Sequence, residues 1–321
     1  MEYRRLGRTG LKVSTICLGT MQFGWTADEE ASFEVMSRAV ELGCNFFDTA
    51  DVYSRWIEGN SGGDSETIIG NWLAEGHVRR EDLILATKVR GKMGDGPNDS
   101  GLSRQHILNA VEASLERLQT DYIDLYQVHS ADMETPLDET LQAMDDLVRV
   151  GMVRYVGCSN YPAWLLAKSL WVSDVRRLCR YDSLQPHYNY LHRAEFEREL
   201  QPLCLDQGVG VIPYSPLGAG FLTGKYRRDM PVPDSARAGG VQNRYFHEKG
   251  FAAVDKLEEV GQAHDATIAQ TAIAWVLANP AVTSAIIGAN TIEQLEDTMM
   301  GAEVALTAEE KAALDEVTAW K

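Results

Sequence analysis

Short apolar runs alternate with longer stretches of helical period along this chain. The runs at 16–18, 45–47, 83–86, 123–128, 153–157, 183–185, 210–212 and 284–287 are β-prone and bounded by Gly, Pro, Ser or charged turns, so each predicts a strand. Between most of them apolar residues recur every three or four positions, as in Phe33, Met36 and Val40, in Ile107, Val111, Leu115 and Leu118, and in Leu137, Leu141, Met144 and Val148. Such alternation is that of a parallel α/β sheet, and the count of eight strands is its informative part. Helix starts are signalled by Thr26-Ala27-Asp28-Glu29 and Thr307-Ala308-Glu309-Glu310, both written as capping boxes, and by Thr135-Pro136, written as an N-cap followed by proline. The opening stretch 2–13, with Arg8-Thr9-Gly10 as its turn, predicts a small β-hairpin at the bottom of a barrel. Stretches 53–63, 90–101 and 218–250 fit neither a strand nor a simple helix and are expected to be long functional loops.

Composition changes this picture little. With 321 residues, 45% of them hydrophobic, the chain suits one large domain spanning 1–321, with no composition shift to mark a boundary. Its formal charge of -17 argues against nucleic acid or an anionic membrane as partner. The first residues carry no apolar leader and no apolar run is long enough to span a bilayer, so the expected location is cytoplasmic. Cys17, Cys44, Cys158, Cys179 and Cys204 lack metal or dithiol spacing and read as reduced, structural thiols; no metal site is expected.

Polar and ionisable residues follow each of the eight predicted strands: Thr20, Asp48, Lys88, His129, Ser159-Asn160, Gln185, Tyr214-Ser215 and Gly288-Asn290. In an eightfold barrel such positions converge on the C-terminal face. Taken singly, Asp48 reads equally well as a turn cap, Lys88 as a solvated cation and His129 as a half-buried histidine. Tyr53, five positions after Asp48 on the same loop, changes the weighting. A phenol ionises near pH ~10, and a neighbouring ammonium lowers that value. Lys88 can supply that charge, Asp48 can hold Lys88, and His129 can polarise a substrate oxygen or relay a proton. The set holds neither nucleophile nor metal ligands. It suits a reaction in which a proton meets oxygen while something else moves to carbon.

Leu18-Gly19-Thr20-Met21, Asn45-Phe46-Phe47-Asp48-Thr49-Ala50 with Tyr53, Ser65-Glu66, Thr87-Lys88-Val89, the run from Asp121 to His129, Gly157-Cys158-Ser159-Asn160, Gln185 with Tyr188-Asn189, Pro213-Tyr214-Ser215-Pro216-Leu217 and Ile286-Ile287-Gly288-Ala289 occur in one order. In that order the chain resembles the aldo-keto reductase family over essentially its whole length. The resemblance is to the branch of general-type bacterial reductases and potassium-channel β subunit-like members. It implies a (β/α)8 TIM barrel with an N-terminal hairpin and extended loops on the C-terminal face. It also implies a nicotinamide cofactor bound without a G-x-G-x-x-G turn, which this chain lacks. By resemblance, Asp48, Tyr53, Lys88 and His129 are the catalytic set, with Tyr53 the general acid in reduction and base in oxidation.

The same resemblance implies that Tyr214 stacks on the nicotinamide, that Ser159, Asn160 and Gln185 hold its carboxamide, and that Gly19, Thr20, Met21 and Asp48 border it. Ser215, Pro216, Leu217, Gly218 and Gly220 would line the pyrophosphate, with Lys225 and Arg237 as phosphate contacts or, on the plainer reading, a solvated pair. Gly288, Asn290, Gln294 and Asp297 would meet the adenosine end. The lysine and arginine that grip the 2′-phosphate in many members are absent near Gly288 and Gln294. NADP(H) is still expected in this branch, with NAD(H) the less favoured choice. Trp25, Tyr53, Arg55, Trp56, His129, Tyr161, Trp164 and Arg244 are expected around the substrate, and Arg55 or Arg244 suits a carboxylate or phosphate. The expected activity is NADPH-dependent reduction of an aldehyde or ketone to an alcohol. The competing reading is a cofactor-sensing regulatory subunit with little turnover, and the complete catalytic set, His129 included, favours the enzyme. A small carbonyl or alcohol substrate is the expected partner, and a homo-oligomer remains open.

Overall fold

The computed structural model describes residues 1–320. The chain opens on a two-stranded antiparallel hairpin, β1 (Tyr3–Arg5) and β2 (Lys12–Ser14), in which Tyr3 pairs with Ser14. Eight strands then form one sheet: β3 (Ile16–Gly19), β4 (Phe46–Asp48), β5 (Ile84–Val89), β6 (Ile123–Val128), β7 (Val153–Ser159), β8 (Tyr181–Gln185), β9 (Gly210–Val211) and β10 (Ala285–Ile287). All neighbours are parallel, and parallel bridges Val211–Val282 and Tyr214–Ile286 join the last pair to close a (β/α)8 barrel. The eight predicted strands match these eight, 123–128 at both ends and the others with ends moved by at most three residues.

Strands buried on both faces explain why the sequence reads as apolar runs rather than clean alternation. Period two still sorts the side chains. Cys17, Phe46, Ala86 and Leu125 point into the barrel, where Leu6 and Val13 of the hairpin plug its floor. Leu18, Phe47, Leu85 and Tyr126 point outward into the main core under the helices. Gly7 makes the plug possible: its φ is +56°, and a Cβ there would lie 2.6 Å from backbone atoms of Gly208 and Gly210.

The helices are α1 (Glu29–Glu41), α2 (Asp64–Ala74), α3 (Arg104–Leu118), α4 (Leu137–Val150), α5 (Ala163–Arg176), α6 (Gln201–Gln207), α7 (Ala238–Tyr245), α8 (Glu248–Gln262), α9 (Ile268–Leu277), α10 (Ile292–Met299) and α11 (Ala308–Val317). Thr307 and Glu310 form the expected capping box on α11. The α1 signal is corrected: Asp28 is the cap, accepting from Ala31 N at 3.0 Å, while the Thr26 hydroxyl donates to Asn290 Oδ1 at 2.8 Å. At α4 the helix begins after Pro136, and the Thr135 hydroxyl donates to Asp132 Oδ2 instead of capping. Stretch 218–250 is not all loop, since it holds α7 and the start of α8. Only Val241 and Tyr245 on α7 are buried, too few apolar positions to register as a period. No helix of the described residues is long and apolar enough to cross a membrane.

Candidate active site

Inward register places Asp48, Lys88 and Gln127 one layer above Phe46, Ala86 and Leu125, at the C-terminal ends of β4, β5 and β6. Lys88 is wholly buried, and its ammonium donates to Asp48 Oδ2 at 2.5 Å, to the Thr49 carbonyl at 2.7 Å and to the Tyr53 hydroxyl at 3.0 Å. Burial pulls the pKa of Lys88 down, but the Asp48 carboxylate and the Tyr53 oxygen outweigh it and the net shift is upward, so the ammonium persists at neutral pH. The other Asp48 oxygen accepts from the amides of Gln127 and Gln185, each at 2.9 Å. Gln127 is the member that sequence reasoning missed. Counting by two from inward Leu125 would have found it.

Tyr53 sits on the loop after β4, with its ring 5.9 Å from that of His129 at 76°. One expectation is corrected here. Burial raises the phenol's pKa, and although Lys88 pulls it down, the net shift is upward rather than the reduction the sequence suggested. The resting residue is therefore a phenol. His129 is held down to about 3 by burial, then by Lys88 and Arg90, so its imidazole is neutral. The outward residues form a second buried layer. Glu66 of α2 accepts from the Thr87 hydroxyl at 2.5 Å and pairs with Arg117 at 2.7 Å. Asp51 lies fully buried nearby, its pKa raised well above the usual carboxylate range by burial and then by Glu66.

Around this cluster the β7 and β8 ends carry Ser159, Asn160 and Gln185. Ser159 Oγ donates to the Gln185 carbonyl at 2.8 Å, and Asn160 Nδ2 donates to the His129 carbonyl at 3.0 Å. The half-buried Tyr214 ring donates its hydroxyl to Asn160 Oδ1 at 3.0 Å. Beyond it the backbone turns through left-handed conformations at Ser215, Gly218, Ala219 and Gly220, with Pro216 and Leu217 between. Within the turn Gly218 N and Gly220 N donate to the carbonyls of Ser215 and Leu217, each at 3.0 Å, and Ala219 N donates to Ser215 Oγ at 3.3 Å. A Cβ on Gly220 would lie 3.2 Å from the Lys225 ammonium. Burial, then Arg237, lowers the pKa of Lys225, and burial likewise lowers that of Arg237. Among the described residues no carboxylate pairs with either cation. The Arg237 guanidinium lies 5.2 Å over the Trp25 ring, joining the long loop to the one after β3.

At the far rim, Gly19 ends β3 and Thr20 donates to the Asp48 carbonyl at 3.1 Å, next to half-buried Met21. The exposed Gly288 follows β10, and Gln294 Oε1 accepts from Asn290 N at 3.0 Å. Asp297 Oδ1 accepts from Thr267 and Gln270 at the start of α9.

The expected substrate wall is brought together in part. Trp56 packs edge-on to Trp25 at 5.5 Å and lies 6.3 Å from Tyr53. Arg55 is engaged with the Lys92 carbonyl. Arg244 lines a separate cleft with His187 and His247, while Trp164 is exposed on α5. Tyr161 is a correction. It is 3% exposed, with its hydroxyl 3.4 Å from that of Tyr181, and so belongs to the core. The φ of +54° at Asn160 turns the chain so that the next side chain points inward beneath α5.

Residues 15–319 match the model of the aldo/keto reductase family. The chain belongs to that family. It is 42% identical to the uncharacterized oxidoreductase YrpG of Bacillus subtilis, over 99% of this chain and 96% of the relative. It is 36% identical to versiconal hemiacetal acetate reductase of Aspergillus parasiticus, covering 98% of this chain and 96% of that one. A probable voltage-gated potassium channel subunit beta of Arabidopsis thaliana is also 36% identical, over 95% of this chain and 92% of the relative. As an aldo/keto reductase family member the chain is an oxidoreductase.

Proposed function

We propose that the chain is an NADP(H)-dependent reductase of aldehydes or ketones in which Tyr53 gives the proton. The observation that carries this reading is the buried Lys88 ammonium held between the Asp48 carboxylate and the Tyr53 hydroxyl. A bound nicotinamide cofactor supplies the hydride that reaches the carbonyl carbon. Tyr53 transfers its phenolic proton to the carbonyl oxygen, and Lys88 stabilises the phenolate left behind. Asp48, fixed by Gln127 and Gln185, keeps Lys88 charged and oriented. Neutral His129 donates an N–H to the carbonyl oxygen without adding a second positive charge beside Lys88. In the reverse direction the Tyr53 phenolate is the base.

This chain's residues fit such a cofactor. Tyr214 offers a flat ring beside Asn160, Ser159 and Gln185 supply amide-binding groups, and the left-handed turn through Gly218 and Gly220 approaches the paired cations Lys225 and Arg237. Those two cations suit a phosphate of the cofactor, and the preference for NADP(H) over NAD(H) rests on the family branch that the chain resembles. Gly19, Thr20, Met21, Gly288, Asn290, Gln294 and Asp297 border the remainder.

The test follows NADPH absorbance with a panel of small aldehydes, α-dicarbonyls, sugars and pyridoxal, for the wild-type protein and Tyr53→Phe. Turnover in the first and a loss of roughly 10²–10⁴-fold in the second is expected. Tight cofactor binding without turnover on any carbonyl would sink the reading in favour of a cofactor-sensing subunit.

A further inference from the structure

Tyr214 carries the flat ring assigned above to the cofactor, and it is anchored at both ends of that ring's long axis. Its backbone N–H donates to the Pro186 carbonyl at 3.0 Å, and its hydroxyl donates to Asn160 Oδ1 at 3.0 Å. The Cβ and the phenolic oxygen of a tyrosine lie on the axis about which its ring turns, and that torsion is broad. These anchors therefore fix where the axis runs and leave the tilt of the ring free. A neighbour lying flat against one face sets the tilt. His187 is that neighbour: its ring lies 5.2 Å from that of Tyr214 with 13° between the planes, and no other ring stacks on Tyr214 among the described residues.

His187 is itself held in place. Residues 189–192 form a tight turn, in which Asn189 N donates to the His192 carbonyl at 3.3 Å and His192 N donates to the Asn189 carbonyl at 3.0 Å. That turn lays the His192 ring on His187 at 4.0 Å and 24°. Asn189 Oδ1 accepts from the backbone N–H groups of Leu191 and His192, each at 2.9 Å, and its Nδ2 donates to the Ser215 carbonyl at 3.0 Å, which sets the orientation of the amide. The same Nδ2 lies 3.4 Å from His187 Nε2, which is therefore an acceptor, with the ring proton on Nδ1. Burial first, then His192 and Arg244, hold the pKa of His187 down to about 4, so the ring is neutral at pH 7. A neutral ring leaves the π electrons of Tyr214 available to an oxidised, positively charged nicotinamide on the face that His187 does not cover.

We propose that His187 is a positioning residue for the nicotinamide: stacked on one face of Tyr214, it sets the plane against which the nicotinamide lies on the other. The proposal rests on the cofactor role given to Tyr214 above. Tyr214 lies within electrostatic reach of Tyr53 and Lys88, so a change of its tilt carries over to how the nicotinamide meets a carbonyl beside Tyr53. A misplacement of about 1 Å at that point is enough to slow the transfer roughly 10²-fold. His187 and His192 also line a cleft of about 390 Å³, together with Tyr245 and the exposed Arg244 and His247, so a small molecule can reach His187 from solvent.

Three substitutions in the full chain test it. His187→Ala removes ring and acceptor, His187→Gln keeps an acceptor for Asn189, and His187→Phe keeps a flat ring. The first readout needs no turnover: NADPH is titrated by calorimetry, and so is ADP-ribose 2′-phosphate, the same cofactor without its nicotinamide. His187→Ala and His187→Gln should weaken NADPH about threefold to tenfold, as for loss of one aromatic stack, and leave ADP-ribose 2′-phosphate unchanged, while His187→Phe binds both as the unsubstituted chain does. Imidazole added to His187→Ala should recover NADPH binding through the cleft. The second readout is the single-turnover rate of NADPH oxidation by a carbonyl that the unsubstituted chain reduces, which should fall about tenfold or more in His187→Gln and not in His187→Phe. Equal weakening of both ligands assigns His187 to the fold and overturns the proposal. Unchanged NADPH binding and rate in His187→Gln overturn it too, as does a loss in His187→Phe as large as in His187→Gln. Those last two variants decide the matter where His187→Ala does not fold. A loss confined to NADPH, without turnover of any carbonyl, keeps the role of His187 and overturns the reductase reading.

Discussion

The Lys88 ammonium donates to the Tyr53 hydroxyl across 3.0 Å and lies 4.9 Å from the centre of the same ring, in a site from which Lys88 is wholly withdrawn from water. Burial of the phenol and the charge of the lysine thus act on one proton in opposite directions. Burial wins in the resting protein, and the phenol's pKa lies above its ordinary 10.0.

Alcohol oxidation, which needs the phenolate, is predicted to quicken as pH rises toward that value, while carbonyl reduction stays flat through neutrality. Lys88→Met removes the one strong influence lowering the pKa, so the alkaline limb moves to higher pH. The rate at pH 8 falls roughly 10²-fold or more. A limb left in place in Lys88→Met would remove Lys88 from this role.

His129 is held near 3, against an ordinary value of 6.5, so it stays neutral over the working range. No acid limb in kcat/KM is predicted to come from it above about pH 4. Its contribution to stability has a definite sign. The unfolded chain binds the extra proton first, so stability is lost as pH falls from 6.5 toward about 3. Urea unfolding of His129→Asn at pH 7 and pH 4.5 should show a smaller acid loss than the unsubstituted chain.

Replacing Lys225 or Arg237 with methionine is predicted to weaken NADPH binding about tenfold each, with NADH affected less, since each supplies a charged contact to a phosphate. Binding of NADPH should also become less sensitive to salt. Fluorescence titration of both cofactors decides this, and an equal effect on the two would assign the cations to the shared pyrophosphate.

The outward layer sets Asp51, whose pKa is raised chiefly by burial, beside Glu66, which pairs with Arg117. Asp51 has a raised pKa, so the stability it contributes is present below the ordinary 3.8 and is lost as pH rises through the folded value. Asp51→Asn is therefore predicted to leave stability at pH 4 nearly unchanged and to improve it at pH 8. Glu66→Gln instead strands Arg117 and should cost about 3 kcal/mol. Denaturant midpoints for the two variants at both pH values test the contrast.

Much of this was legible along the chain. Apolar runs of strand length, spaced by helical periods, gave eight parallel strands because burial on both faces leaves a local mark at every strand. Local hydrogen-bonding chemistry marked the α11 cap in the same way. The polar residue after each strand was legible too, because a strand's end is a local event. Tertiary structure alone decided the rest. It brought Lys88 to Tyr53 across thirty-five positions, and it set burial against charge at the phenol, a balance that depends on every atom that excludes water. It turned Tyr161 into the core through the backbone at Asn160, and drew α7 out of a segment with too few apolar positions to announce it. It also brought the junction of α7 and α8, with Arg244 and His247, to His187 and His192, which lie far from it in sequence.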